Sequence, residues 1–204
     1  MKKLFLIAVA VLATLSVSAQ SAPGTFSLKP MVGATLSSVR GSDADGVKMK
    51  FGLVAGTEGI YQVSDMFAIS GGLLYSMQGF KADESSVDLK VNTEYLNVPI
   101  LANVYVARGL ALKAGVQLGF LTKAKIKGKY GNIEENLDIK DSMKSLDLSS
   151  PIGISYEINN SFTIDARYNL GLSKIAKDDD HHYDYTAKAY NSVFMLTLGY
   201  KYDM

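Results

Sequence analysis

From residue 26 onward, apolar and polar side chains alternate with a period of two, and this constrains the fold more than any other feature. Over 161–174, Phe162, Ile164, Ala166, Tyr168, Leu170 and Leu172 share one parity; Thr163, Asp165, Arg167, Asn169, Gly171 and Ser173 share the other. Residues i and i+2 project from the same face of a strand, so the segment is extended, with two chemically opposed faces. The same alternation marks eight runs, 26–38, 49–62, 66–80, 91–106, 110–124, 146–158, 161–174 and 190–202. Helical signals are weak: the one candidate, around Ile133 to Leu148, lacks a 3.6-residue stripe.

The connections alternate in length. Short ones fall at Val63-Ser64-Asp65, Ala107-Arg108-Gly109 and Asn159-Asn160, and long ones at 39–48, 81–90, 125–145 and 175–189. Short turns at one end and long loops at the other describe an up-and-down meander. The charges decide which face is wet. Lys29, Lys50, Glu58, Lys113, Lys123, Asp147, Glu157, Asp165, Arg167 and Lys201 all take the polar parity, with Glu94 the exception near a strand mouth. That parity also carries Gly52, Gly56, Gly72, Gly115, Gly119, Gly153 and Gly171. Small and charged residues do not fill a dry core, and unpaired buried charge is costly. The bulky apolar face must therefore look outward. The fold expected is all-β: an eight-stranded antiparallel up-and-down transmembrane β-barrel.

In a barrel of eight strands the interior holds side chains only. Lys29, Lys50, Glu58, Lys113, Glu157, Asp165, Arg167 and Lys201 are therefore expected to interlock as a structural polar network in a plugged lumen. Phe26, Tyr61, Phe67, Tyr156, Phe162, Tyr200 and Tyr202 stand at strand ends beside short turns or termini, as one aromatic girdle would. Phe51, Tyr75, Phe120 and Phe194 are candidates for the other. Pro30, Pro99 and Pro151 lie inside proposed strands, where bulges or broken ladder bonds are expected.

Residues 1–19 have the three-part layout of a cleaved secretory signal: Lys2 and Lys3, an apolar run from Leu4 to Leu15, and Val17-Ser18-Ala19 before Gln20. The apolar run is shorter than the roughly 20 residues a spanning helix needs. Residues 20–204 are then expected to form the barrel domain.

Little chemistry is on offer. The 21 basic and 20 acidic residues leave no excess charge to draw nucleic acid, and the absence of Cys excludes disulfides, thiolate metal sites and thiol nucleophiles. Asp178-Asp179-Asp180-His181-His182-Tyr183-Asp184 mixes carboxylates with imidazoles, but its spacing fits no metal loop, and it reads as a solvated loop tip. Both histidines lie there, so a rim hydrolase would have to use them, and Ser76 or Ser173 has no nucleophile-elbow context. No catalytic residue, cofactor or metal is assigned. The partners expected are outer-membrane lipid and a protein met through the outer loops, and the chain is read as a monomer.

Five segments resemble the PorT-like family of small outer-membrane β-barrels of the Bacteroidetes type. They are Gly72-Leu73-Leu74-Tyr75-Ser76-Met77-Gln78-Gly79-Phe80, Tyr95-Leu96-Asn97-Val98-Pro99-Ile100-Leu101, Leu112-Lys113-Ala114-Gly115-Val116-Gln117-Leu118-Gly119, Ala166-Arg167-Tyr168-Asn169-Leu170-Gly171-Leu172 and Leu196-Thr197-Leu198-Gly199-Tyr200-Lys201-Tyr202. The resemblance implies an outer-membrane location and an eight-stranded barrel, and treats Pro99 as a family trait. It implies no activity, although some members serve protein secretion across the outer membrane. One departure is that Asp203 and Met204 follow the closing Tyr202, where such chains usually end on an aromatic residue.

Overall fold

A computed structural model describes residues 21–41, 46–84, 87–130, 133–158, 161–177 and 189–204. The strands are β1 (Phe26–Arg40), β2 (Val47–Ser64), β3 (Phe67–Glu84), β4 (Val87–Ala107), β5 (Leu110–Tyr130), β6 (Ile133–Asp138), β7 (Leu146–Ile158), β8 (Phe162–Lys174), β9 (Tyr190–Tyr200) and β10 (Tyr202–Asp203). Each wall strand pairs antiparallel with its neighbour in the order β1-β2-β3-β4-β5-β7-β8-β9, and β1 pairs with β9 to close the ring. This is the closed eight-stranded barrel expected. At the closing seam a Cβ on Gly33 would collide with the Leu196 carbonyl oxygen, so only glycine permits that approach.

Two connections differ from the sequence reading. Residues 81–90 are mostly hairpin, because β3 runs to Glu84 and β4 begins at Val87. Residues 125–145 hold further strand: β5 continues to Tyr130 and β6 folds back on it alone, pairing Lys125 with Asp138 through Tyr130 with Ile133. The weak helical candidate there is therefore mostly strand, with a single 3-10 turn at Lys140–Ser142.

The prolines break the ladder as expected, each on one side only. Pro30 stays paired to Thr57 of β2, while the β1–β9 register lapses between Met31–Gly199 and Leu28–Tyr202. β10 is thus the continuation of β9 past the point facing Pro30, which has no N–H to give. Pro99 keeps Gln117 but lacks its β3 partner, the pairing stepping from Gly71–Ile100 to Leu74–Asn97. Pro151 keeps Asn169 while the β5 pairing steps from Ala114–Ile152 to Gln117–Ser149. Opposite Pro151 stands Gly115, and the Ser150 hydroxyl donates to its carbonyl at 3.1 Å in place of the missing amide. Ser150→Ala should leave that acceptor without a donor and lower stability by about 1–2 kcal/mol in urea titrations of the bilayer-inserted protein. An unchanged midpoint would show that the hydroxyl is dispensable.

Exposed apolar side chains cover the outer wall from Val32 and Leu36 on β1 to Phe194, Leu196 and Leu198 on β9. At the short-turn end Phe26, Tyr61, Tyr156, Phe162 and Tyr202 are all exposed, and Phe162 meets Tyr200 edge-on with ring centroids 5.0 Å apart. Phe51, Tyr75, Phe120 and Phe194 are exposed towards the other end. Asp203 and Met204 extend the last strand along β1: Asp203 accepts from Ser27 Oγ at 2.6 Å and the Met204 N–H donates to Phe26. Residues 1–19 lie outside the described residues.

Candidate functional site

Five of the charges that share the inward parity meet at one point of the lumen. β1 supplies Lys29, β2 Glu58, β5 Lys113, and β8 both Asp165 and Arg167; each is at most 4% exposed. Lys113 Nζ lies 2.9 Å from both Glu58 Oε2 and Asp165 Oδ1. Lys29 Nζ lies 3.0 Å from Asp165 Oδ2 and 3.2 Å from Glu58 Oε2. The Arg167 guanidinium reaches Glu58 Oε1 at 2.5 Å and Asp165 Oδ1 at 3.7 Å. Each carboxylate is therefore shared by all three cations, which makes a bridged cluster rather than separate pairs.

Apolar layers enclose this cluster. Met31, Val54, Leu74 and Met195 pack together towards the long-loop end, and Ile60, Ala68, Tyr105 and Ala111 towards the short turns. Their places follow from parity, since Met31 is two residues beyond Lys29 and Ala111 two before Lys113. Further towards the long loops runs a neutral chain: Gln78 and Asn97 donate to Ser76 Oγ at 2.7 and 2.8 Å, and Gln117 donates to Asn97 Oδ1 at 3.3 Å. Above it Tyr95, Leu121, Ala124, Met143 and Ile175 form an apolar cap. Met143 and Ile175 come from connections drawn over the mouth, tied by the Met143–Ala176 bridge and a 2.9 Å bond from the Lys144 N–H to the Ile175 carbonyl. The sequence reading gave these residues no role of their own, although Met31, Val54, Ile60, Ala111 and Gln117 share the parity of the charges on their strands.

The other members of the expected network are placed apart. Lys201 pairs with Glu157 at 2.7 Å towards the short turns. Asp147 accepts from Ser173 Oγ at 2.9 Å. Lys50 does not reach the cluster. The β2–β3 register shifts between Met49 and Val54, and Lys50 donates to the Gln78 carbonyl at 2.9 Å beside a cleft it shares with Glu94 and Lys123. Lys123 is a correction to the parity argument. The β4–β5 register shifts between Glu94–Lys123 and Tyr95–Leu121, so one extra residue, Thr122, reverses the alternation. Lys123 is consequently 63% exposed on the outer wall and pairs there at 3.1 Å with Glu94, which also accepts from the Tyr75 hydroxyl. Glu94 itself keeps the outward parity of Leu96 and Ile100, since the alternation of β4 is unbroken there.

Among the described residues no three His, Asp or Glu side chains are grouped to hold a metal ion. The Asp178–Asp184 cluster, with both histidines, lies outside the described residues. Ser76 is committed to the lumen chain, and the Ser173 hydroxyl donates to Asp147.

No curated protein sequence matches the chain. In fold it is similar to Ail, the attachment invasion locus protein of Yersinia pestis, solved in complex with the heparin analogue sucrose octasulfate. The TM-score is 0.53 at 16% identity, covering 87% of this chain and 99% of that one. It is also similar to Neisserial surface protein A, at TM-score 0.46 and 14% identity over 89% and 97% of the two chains. A third likeness, to OprG from Pseudomonas aeruginosa, has TM-score 0.43 and 12% identity over 89% and 98%. Only the first of these scores bears on the fold. Residues 18–177 match the model of the outer membrane protein beta-barrel domain family. With most of its length matched, an ion-paired interior and an apolar outer wall, the chain belongs to the outer membrane protein beta-barrel domain family and is a small barrel of the outer membrane.

Proposed function

We propose that this barrel is a non-catalytic outer-membrane protein with a sealed lumen, whose long-loop end serves as an interaction surface outside the cell. The carrying observation is the five-charge cluster held between apolar layers. An ion crossing the lumen would have to part three cations from two shared carboxylates and displace the Tyr95–Met143–Ile175 cap. Interior charges that bridge one another supply cohesion, and they leave no open polar path. Residues 1–19 are read as an export signal. Protein purified from outer membranes should have a mass that begins at Gln20, and in planar bilayers it should give no unitary current steps. Regular steps from single barrels would overturn the sealed lumen.

A second reading makes the barrel an accessory of protein secretion across the outer membrane. Its support is the resemblance of the β3, β4, β5, β8 and β9 segments to PorT-like barrels. Deletion of the gene should then leave exported cargo inside the cell; normal export would leave the interaction role alone. A rim hydrolase draws no support from the described residues, since both histidines lie outside them.

A further inference from the structure

The buried cluster carries one positive charge more than its carboxylates balance. Lys29, Lys113 and Arg167 stand against Glu58 and Asp165, each at most 4% exposed. The other inward acids among the described residues do not cancel the excess. Glu157 pairs with Lys201 at 2.7 Å. Asp147 lies six residues along β7 from Gly153, the register partner of Arg167, which is about 20 Å in a strand. Arg167 is also only partly engaged. Its Nη2 makes both carboxylate contacts, while Nε and Nη1 are buried with no hydrogen-bond partner among the described residues. Asn169 is the next inward residue of β8 and 2% exposed, and neither of its amide atoms has a partner there. The register neighbours of Asn169 are Pro151 and Val193, and those of Arg167 are Gly153 and Met195, none of which brings a strong acceptor. Gln117 Oε1 is buried and unpartnered in the same sense, although Gln117 Nε2 donates to Asn97 at 3.3 Å and to Ser149 at 3.4 Å. One stretch of β8 thus points unanswered N–H donors into the lumen beside a cluster of excess positive charge.

We infer that the lumen binds one small monovalent anion, chloride in ordinary salt, against the Arg167 guanidinium and the Asn169 amide. A buried guanidinium whose N–H groups are not all met loses hydration without compensation, and hydrogen bonds to an anion are the strong kind it can form. Water could accept from the same donors, and would also serve Gln117 Oε1 and Asn169 Oδ1. It leaves the charge excess as it is, however, in an interior where an uncompensated ion is costly. A monovalent anion makes the cluster three against three. A divalent one would only reverse the sign of the excess, and a lumen of eight strands, filled by side chains, disfavours a large one. The anion would be enclosed as the barrel folds, a structural ion rather than one in transit.

Two measurements on the full barrel in neutral detergent test this. In the first, the protein is folded from urea with bromide in place of chloride and crystallised, and bromide is located by its anomalous scattering. A peak in contact with the Arg167 guanidinium and the Asn169 amide is expected. In the second, urea unfolding is followed by heat-modifiable migration in chloride and in gluconate at equal ionic strength. Replacing gluconate by chloride, from about 5 to about 500 mM, should raise the folded-to-unfolded ratio by about tenfold or more, through linkage to a millimolar site. Lys113→Met balances the cluster and Asn169→Leu removes the amide, so both should lose most of that dependence. Lys140→Gln, at an exposed position, should keep it. Equal stability in chloride and gluconate overturns the inference, as does a chloride effect undiminished in Lys113→Met and Asn169→Leu. Bromide found only on the outer surface, with water beside Arg167, overturns it in favour of hydration. If neither lumen variant folds, the bromide position in the wild type decides alone.

Discussion

Glu58→Gln is expected to destabilise the barrel by about 3–5 kcal/mol, because it removes one partner of a buried ion cluster and leaves the others charged. Glu58 holds Lys29, Lys113 and Arg167 at once, at 3.2, 2.9 and 2.5 Å. Without its charge, three buried cations have the Asp165 carboxylate as the one anion left in the cluster. The cluster is asymmetric, with three cations against two carboxylates, so the two signs of mutation should not be equivalent. Lys113→Met brings the count to two and two. It leaves Lys29 and Arg167 on both carboxylates and puts an apolar chain next to Ala111. Its cost should be well below that of Glu58→Gln. Adding Arg167→Met to Glu58→Gln should recover part of the loss, since the pair are in direct contact and such neighbours couple by about 0.5–3 kcal/mol. Guanidinium unfolding midpoints of detergent-folded protein, followed by heat-modifiable migration, give all three costs. Equal costs for Glu58→Gln and Lys113→Met would mean that charge balance does not govern the lumen.

How much of this was legible in the sequence depends on how local each cause is. Parity is local and strong. Asp165 and Arg167 sit two residues apart on β8, and nothing between them disturbs the alternation, so their inward placement could be read directly. Lys123 could not be. A single extra residue at Thr122 reverses the face, and a bulge leaves no mark in a sequence whose residues on either side still alternate. Lys50 was lost for the same reason, at the irregularity between Met49 and Val54. The cross-strand register is non-local. Lys48, Lys81, Lys90 and Lys127 each look like an ordinary solvated charge along their own strands, and only the pairing of four strands aligns them. The cap was hidden in another way. Met143 and Ile175 lie in connections with no periodicity to read, and their burial depends on where those segments cross the mouth.

Val116→Arg tests the premise that the apolar wall meets lipid rather than a dry core. Val116 is 50% exposed near the middle of the apolar stretch of β5, between Leu112 and Ala114 on one side and Leu118 and Phe120 on the other, with Ile100 opposite on β4. An arginine there would enter hydrocarbon at mid-depth and should cost about 2–4 kcal/mol, whereas Tyr202→Arg, at the short-turn interface, should cost about 0–1 kcal/mol. The pair separates two physical pictures that a single substitution would confound. On a wall facing water, half-exposed valine and half-exposed tyrosine would both accept arginine at little cost. On a wall facing lipid, the penalty must grow with depth. It must also shrink when the barrel is moved from vesicles of long-chain lipid to thinner ones, because the long arginine side chain then reaches the interface. Urea-dependent insertion into vesicles of two chain lengths measures both effects, and a Val116→Arg penalty no larger than that of Tyr202→Arg would refute the outward orientation on which the ion-paired lumen depends.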